Sequence, residues 1–170
     1  MNAPERDPAR TWEDLQAHLA GSFTARTRSL LAPEILLSGP HGEFGRMTLL
    51  SPSGAEISAE NLNTTIEHTG KFSYRILAGE TSLVAEPTDG PADFLEIRAG
   101  NLTYGAAFSF FRNRSKAISP EGKTVAQLMG SLIGRRYTAG YDPETPAALP
   151  VAMLLLYHIA TNRGRAYQME

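Results

Sequence analysis

Residues Ala147–Asn162 read AALPVAMLLLYHIATN. Between Val151 and Ala160 every residue but His158 is apolar or aromatic. A helix that is apolar around its whole circumference has no face to give to water, so protein or lipid must enclose it. A transmembrane helix needs about 20 apolar residues, whereas a run of about 10–14 fits a buried core helix. This run is short and carries His158 within it. Asp142 and Glu144 precede it, and Arg163 and Arg165 follow. The expectation is a core helix over Ala147–Thr161, with no membrane span.

What encloses it must come from the preceding chain. Thr11–Ala20 (TWEDLQAHLA) reads as a short amphipathic helix: Thr11 is a suitable N-cap, Asp14 lies three residues on, and Trp12, Leu15 and Leu19 share a face. Gly21 is placed to end it. From Ser22 to Tyr141 the pattern changes to short alternating runs broken by turn residues such as Gly39-Pro40, Ala78-Gly79, Gly100-Asn101 and Ser119-Pro120-Glu121-Gly122. The candidate strands are Phe23–Arg28, Glu34–Ser38, Phe44–Leu50, Glu56–Ala59, Thr64–His68 and Lys71–Leu77. Further on come Thr81–Glu86, Asp93–Ala99, Thr103–Phe111, Ser115–Ser119, Val125–Ile133 and Arg135–Gly140. Phe72, Tyr74 and Ile76 alternate with polar residues. Leu102, Tyr104, Ala106, Phe108 and Phe110 alternate in the same way, so each set lies on one side of a sheet. Serial strands with no interleaved helices predict an antiparallel sandwich or barrel. Gly130, Gly134 and Gly140 permit the bends and close approaches of a closing sheet.

At 170 residues, 42% hydrophobic and 20% charged, the chain has an ordinary globular composition and length for one sizeable core. Residues 1–10 (MNAPERDPAR) are polar, with two prolines, and are expected to be a disordered tail; 11–170 form a single domain. That start lacks the apolar segment of a signal peptide, which predicts a cytoplasmic protein. Thirteen arginines against three lysines point to a GC-rich, bacterial genome. The net charge of −2 provides no general attraction to nucleic acid or to anionic membrane. The absence of cysteine removes disulfides, thiolate catalysis and Cys-ligated zinc together.

No catalytic constellation stands out. Ala117–Thr124 (AISPEGKT) resembles a P-loop, but Ala117 replaces the first glycine that a phosphate cradle needs, and a turn between strands is the simpler reading. His18, His41, His68 and His158 lack metal-ligand spacing, so neither a metal nor a cofactor is expected. No serine stands in a G-x-S-x-G elbow.

Two functional readings remain. In Phe110–Lys116 (FFRNRSK), Arg112, Arg114 and Lys116 recur at period two, on one face if the strand continues, and Arg135 and Arg136 follow across an intervening strand. Such a cluster beside aromatics suits the phosphates of an anionic lipid or another phosphorylated small molecule; a hairpin rim kept soluble by charge is the plainer account. This makes the protein a non-enzymatic binding module. The alternative is a small-molecule-binding protein or enzyme that uses a barrel pocket near His158. A ring in a water-accessible cavity would favour that alternative, and a sealed one would be structural.

A helix followed by many strands and a final apolar helix resembles the tubby C-terminal-like superfamily, which includes phospholipid scramblases and LURP-one-related proteins. The matching residues are Tyr141-Asp142, the Pro143–Pro146 approach and Leu149–Ile159, with Phe44-Gly45-Arg46-Met47 and Tyr104-Gly105-Ala106-Ala107 as glycine-marked strands. The resemblance implies an all-β fold with a buried helix: a closed antiparallel β-barrel of about a dozen strands around a central hydrophobic C-terminal helix. It also implies phosphoinositide binding by basic residues, a role open to Arg112, Arg114 and Lys116. The acidic calcium-binding segment of scramblases is not matched, because Asp142 and Glu144 offer too few oxygens.

Overall fold

A computed structural model describes residues 9–27, 34–50, 54–79, 81–88, 93–131 and 136–166. The chain opens with helix α1 (Trp12–Leu19). Twelve strands follow: β1 (Ser22–Thr27), β2 (Glu34–Gly39), β3 (Gly42–Leu50), β4 (Gly54–Ala59), β5 (Leu62–Gly70) and β6 (Ser73–Ala78), then β7 (Thr81–Pro87), β8 (Phe94–Ala99), β9 (Leu102–Ser109), β10 (Arg114–Ile118), β11 (Thr124–Gly130) and β12 (Arg136–Tyr141). Helix α2 (Ala148–Ala166) ends the described chain. Each strand pairs antiparallel with its sequence neighbours, and β1 pairs with β12 to close the barrel, with Thr24 opposite Thr138. Tyr141 N–H donates to Gly21 O at 2.9 Å and extends that seam. Closure leaves no unpaired sheet edge.

All twelve expected strands are present, displaced at their ends by a few residues. Period-two burial sets the inner face. On β6, Tyr74, Ile76 and Ala78 point in and Arg75 and Leu77 point out; on β9, Tyr104, Ala106 and Phe108 point in. Leu102, grouped with that inner set by its periodicity, lies at the barrel rim and is exposed. Gly45 needs its missing side chain: a Cβ there would collide with the backbone of Ser58 and Ala59 on β4. At Gly130 a Cβ would meet side chains, the Asn113 amide and the Tyr137 ring, which would have to shift. Gly105 meets nothing, so that glycine is no packing requirement, and Gly134 lies outside the described residues.

The helix α2 is enclosed as its composition demands. Every residue from Ala148 to Ile159 is buried, His158 included. It packs against β10, β11 and β12, and its aromatic and histidine side chains meet rings from β5, β6 and β9. It runs past the expected end at Thr161. The polar side chains there are satisfied by bonding back one turn, Thr161 Oγ1 to Tyr157 O at 2.6 Å and Asn162 Nδ2 to His158 O at 2.8 Å. No helix among the described residues is long and apolar enough to cross a membrane. The outer face of the strands carries charged side chains such as Arg46, Glu67, Arg75 and Arg98, the reverse of the apolar band that a lipid-spanning barrel shows.

α1 lies at one end of the barrel. Its N-cap is Thr11, whose Oγ1 accepts from Asp14 N–H at 3.0 Å. The left-handed residue that stops it is Ala20, with Gly21 next, also at positive φ. Trp12, Leu15 and Leu19 join the core. So does Ala9, 1% exposed, whose N–H donates to the Glu60 carboxylate. Packing therefore begins within the stretch read as a tail; residues 1–8 lie outside the described residues.

Candidate functional site

A twelve-strand meander places alternate hairpins at opposite ends of the barrel. At one end lie α1, the β10–β11 turn and the 142–147 approach to α2. At the other lie the β9–β10 and β5–β6 turns, the start of β12, the end of β1 and the last turns of α2. The basic residues expected to bind phosphate gather mainly at this second end.

Their arrangement differs from the expected continuous strand. β9 stops at Ser109, because Asn113 takes a left-handed conformation (φ 56°) and turns the chain. Asn113 is fully buried. Its N–H donates to Phe110 O at 3.3 Å, its Nδ2 donates to Ser131 O at 2.9 Å, and its carbonyl accepts from Gly130 N–H at 2.8 Å. Arg112 thus sits on the turn and does not share the period of β10. Arg114 and Lys116 do lie on the outer face, with Ser115 and Ala117 pointing in. Beside Arg112, Phe111 stands 79% exposed. Arg136 faces out at the start of β12, and Arg135 lies outside the described residues.

The register identifies a participant that sequence reading missed. Arg26, at the end of β1, is directly opposite Arg136 across the seam that closes the barrel. Nothing in the sequence pairs residues so far apart in the chain. Arg114 is opposite Met129 on β11, which is opposite Thr138 on β12. With strands about 4.8 Å apart and Arg136 two residues, about 7 Å, along β12 from Thr138, Arg114 and Arg136 are separated by about 12 Å on the wall. Like charges directly opposite on a sheet are destabilising, so Arg26 and Arg136 face each other at a cost to the sheet.

The rest of the barrel treats its strand arginines differently. Arg46 pairs with Glu34 at 2.9 Å, Arg75 with Glu67 at 2.6 Å and Arg98 with Glu86 at 3.1 Å. Among the described residues, Arg26, Arg112, Arg114, Lys116 and Arg136 have no such ion pair. Among the described residues the unpaired strand arginines thus occupy one arc, β10 through β12 to β1; Arg10 before α1 and Lys71 in the β5–β6 turn, which stands over the Phe72 ring, also lack a carboxylate partner.

Beneath the same end lies a sealed polar cluster. His158 Nδ1 is 2.7 Å from the Tyr74 hydroxyl and 3.3 Å from Asn162 Nδ2. The rings of Phe72, Tyr74, Phe108 and Phe110 surround the imidazole, which has no solvent exposure. Next to it, His68 Nε2 meets the Tyr157 hydroxyl at 2.5 Å. Burial pushes the Tyr157 phenol up to about 12, so it stays protonated. The cluster ties α2 to β5 and β6.

The opposite end is held by Gln16. Its Nε2 donates to Pro143 O at 3.0 Å and Thr145 O at 2.9 Å, and its Oε1 accepts from Leu149 N–H at 3.0 Å. One α1 side chain thus caps α2, satisfying a first-turn N–H. The Tyr141 hydroxyl donates to Gln16 O at 2.6 Å. Asp142 accepts from Lys123 Nζ, from Thr145 Oγ1 at 2.7 Å and from Glu144 N–H at 3.0 Å; these donors hold its carboxyl down at about 2. The P-loop-like segment is here as a turn, Ser119 O accepting from Gly122 N–H at 2.9 Å, and its lysine serves Asp142. Comparison with protein-family models, with curated proteins and with solved structures returns no match to this chain.

Proposed function

We propose that this protein is a non-enzymatic binding module that engages the phosphates of an anionic lipid, or of another phosphorylated ligand, at the arginine end of its barrel. The observation that carries the reading is the contrast in pairing: the strand arginines on β3, β6 and β8 have carboxylate partners, and those on β1, β10 and β12 do not. A guanidinium offers a planar fork that matches phosphate. Phe111 beside Arg112 adds an apolar group of the kind that enters a membrane interface. The same reading takes the chain as a tubby-like barrel, on the strength of strands in a closed meander packed on a C-terminal helix. The competing reading, chemistry at His158, loses support because the ring is sealed and already bonded.

Each basic residue near an anionic membrane contributes about 1 kcal/mol. The five together give roughly 5 kcal/mol, a dissociation constant of about 0.2 mM unless the ligand also makes specific contacts. Sedimentation with phosphatidylserine-containing vesicles tests the proposal. Wild type should co-sediment at low salt and be released as screening sets in, where the Debye length falls to about 8 Å. A variant with Arg112→Ala, Arg114→Ala and Lys116→Ala should stay in solution, as should Arg26→Ala with Arg136→Ala. If inositol hexakisphosphate binds wild type and vesicles do not, a soluble phosphorylated ligand is the source. If neither binds at low salt, or the variants match wild type, the proposal fails.

A further inference from the structure

The α1 end contains a cleft of about 420 Å³, within the usual size range of small-molecule sites. One wall is α1, with Trp12 and Glu13. The other is the approach to α2, with Glu144 and Pro146. Ala99 and Leu102, from the β8–β9 hairpin, close its side. Both walls are braced. Gln16 ties α1 to Pro143, Thr145 and Leu149, and the Tyr104 hydroxyl donates to Pro146 O at 3.1 Å. A cleft between braced walls keeps its shape before a ligand arrives, which reduces the ordering cost of binding.

The chemistry of the lining is one-sided. Its apolar surface comes from residues such as Trp12, Ala99, Leu102 and Pro146, and among the described residues its ionisable members are Glu13 and Glu144. Among the described residues neither carboxylate forms an ion pair. The nearby Lys123 is bonded to Asp142 and acts on Glu144 more weakly, so the two glutamates leave the lining with a net negative charge. The groups that could draw an anion here are occupied: Leu149 N–H is bonded to Gln16 and Ala148 N–H to Thr145 O.

We propose that this cleft binds a small organic cation, an ammonium group carried on an apolar body, with the charge between Glu13 and Glu144 and the body against Leu102 and Pro146. The site lies at the far end of the barrel from the arginines and is independent of the phosphate reading.

Trp12 is the only tryptophan in the chain and lines the cleft, so its fluorescence reports this site directly. The test titrates the full-length protein with n-hexylammonium chloride and, separately, with hexan-1-ol. The ammonium should give a saturable change in Trp12 emission, with the alcohol weaker by about tenfold or more, the worth of one lost charge-assisted contact. Glu13→Gln together with Glu144→Gln should bring the ammonium down to the level of the alcohol. Both glutamates are exposed, and circular dichroism verifies that the double variant is folded. Equal affinity for ammonium and alcohol, no saturable response to either, or undiminished ammonium binding by the folded double variant would overturn the proposal.

Discussion

The two ends of this barrel are built from the same strands and place their bonded polar groups differently. At the α1 end polar groups are spent on one another: Gln16 makes three hydrogen bonds across two elements, and Asp142 gathers three donors. At the arginine end the bonded groups are sealed inside, in the Tyr74–His158–Asn162 cluster, and the cations outside lack carboxylate partners among the described residues. The first pattern joins elements of the fold. The second leaves charge available to something that is not part of the fold. An unpaired surface arginine is ordinary by itself. The three unpaired strand arginines fall together on the arc from β10 through β12 to β1, with Arg26 facing Arg136, and that makes the arc the place to look for a ligand.

The sharpest way to break this contrast is to remove one brace from each end. Gln16→Ala strands Leu149 N–H inside the protein and frees two carbonyls, and is expected to cost about 2–3 kcal/mol. Tyr74→Phe takes one partner from His158 and leaves Asn162 beside it, and is expected to cost about 1 kcal/mol. Urea denaturation of the two variants measures both. A larger loss for Tyr74→Phe would mean that the sealed cluster, and not the α1 brace, is the tighter joint.

Acid should act first on the α1 end. The Asp142 carboxyl is depressed from 3.8 to about 2, chiefly by the Lys123 ammonium and the Thr145 hydroxyl. A depressed carboxylate stabilises the fold above its unfolded pKa, and that contribution fades as pH falls from about 4 to about 2. Amide exchange between pH 5 and pH 2 should therefore show the 142–147 approach loosening before the β5–β6 turn, and Asp142→Asn should remove that pH dependence. Loosening that begins at the arginine end would contradict the assignment.

The smallest expected effect has an unusual sign. Arg26→Thr removes one of two like charges that face each other, so at low salt it should stabilise the barrel by about 0.2–1 kcal/mol. In the same variant, binding to anionic vesicles should weaken. A gain in stability with a loss of binding is the signature of a site maintained at a cost to the fold. Destabilisation by the variant at low salt would show that Arg26 has a structural partner.

Much of the architecture was legible in the chain because it follows from local rules. Period-two burial and explicit turn residues place all twelve strands, and the run Val151–Ile159, apolar but for His158, demands enclosure whatever surrounds it. The Thr11 cap of α1 is equally local. Arg114 and Lys116 were legible as an outward pair for the same reason. Arg112 was misplaced because a single left-handed residue, Asn113, breaks the period between them, and alternation alone does not reveal that turn.

The rest depended on distance in space. Arg26 and Arg136 meet because β1 pairs with β12, Gln16 reaches Leu149 because α1 folds over the mouth of the barrel, and Glu13 and Glu144 share a cleft for the same reason. His158 could be recognised as an anomaly in an apolar helix, but its partners Tyr74 and Phe108 come from strands far away in the chain. The sequence by itself determined the elements and the need for a closed wall, since hydrophobic period and turn chemistry act over a few residues. Only the tertiary structure decided which charges are answered and which are not, because that depends on the register in which the last strand meets the first.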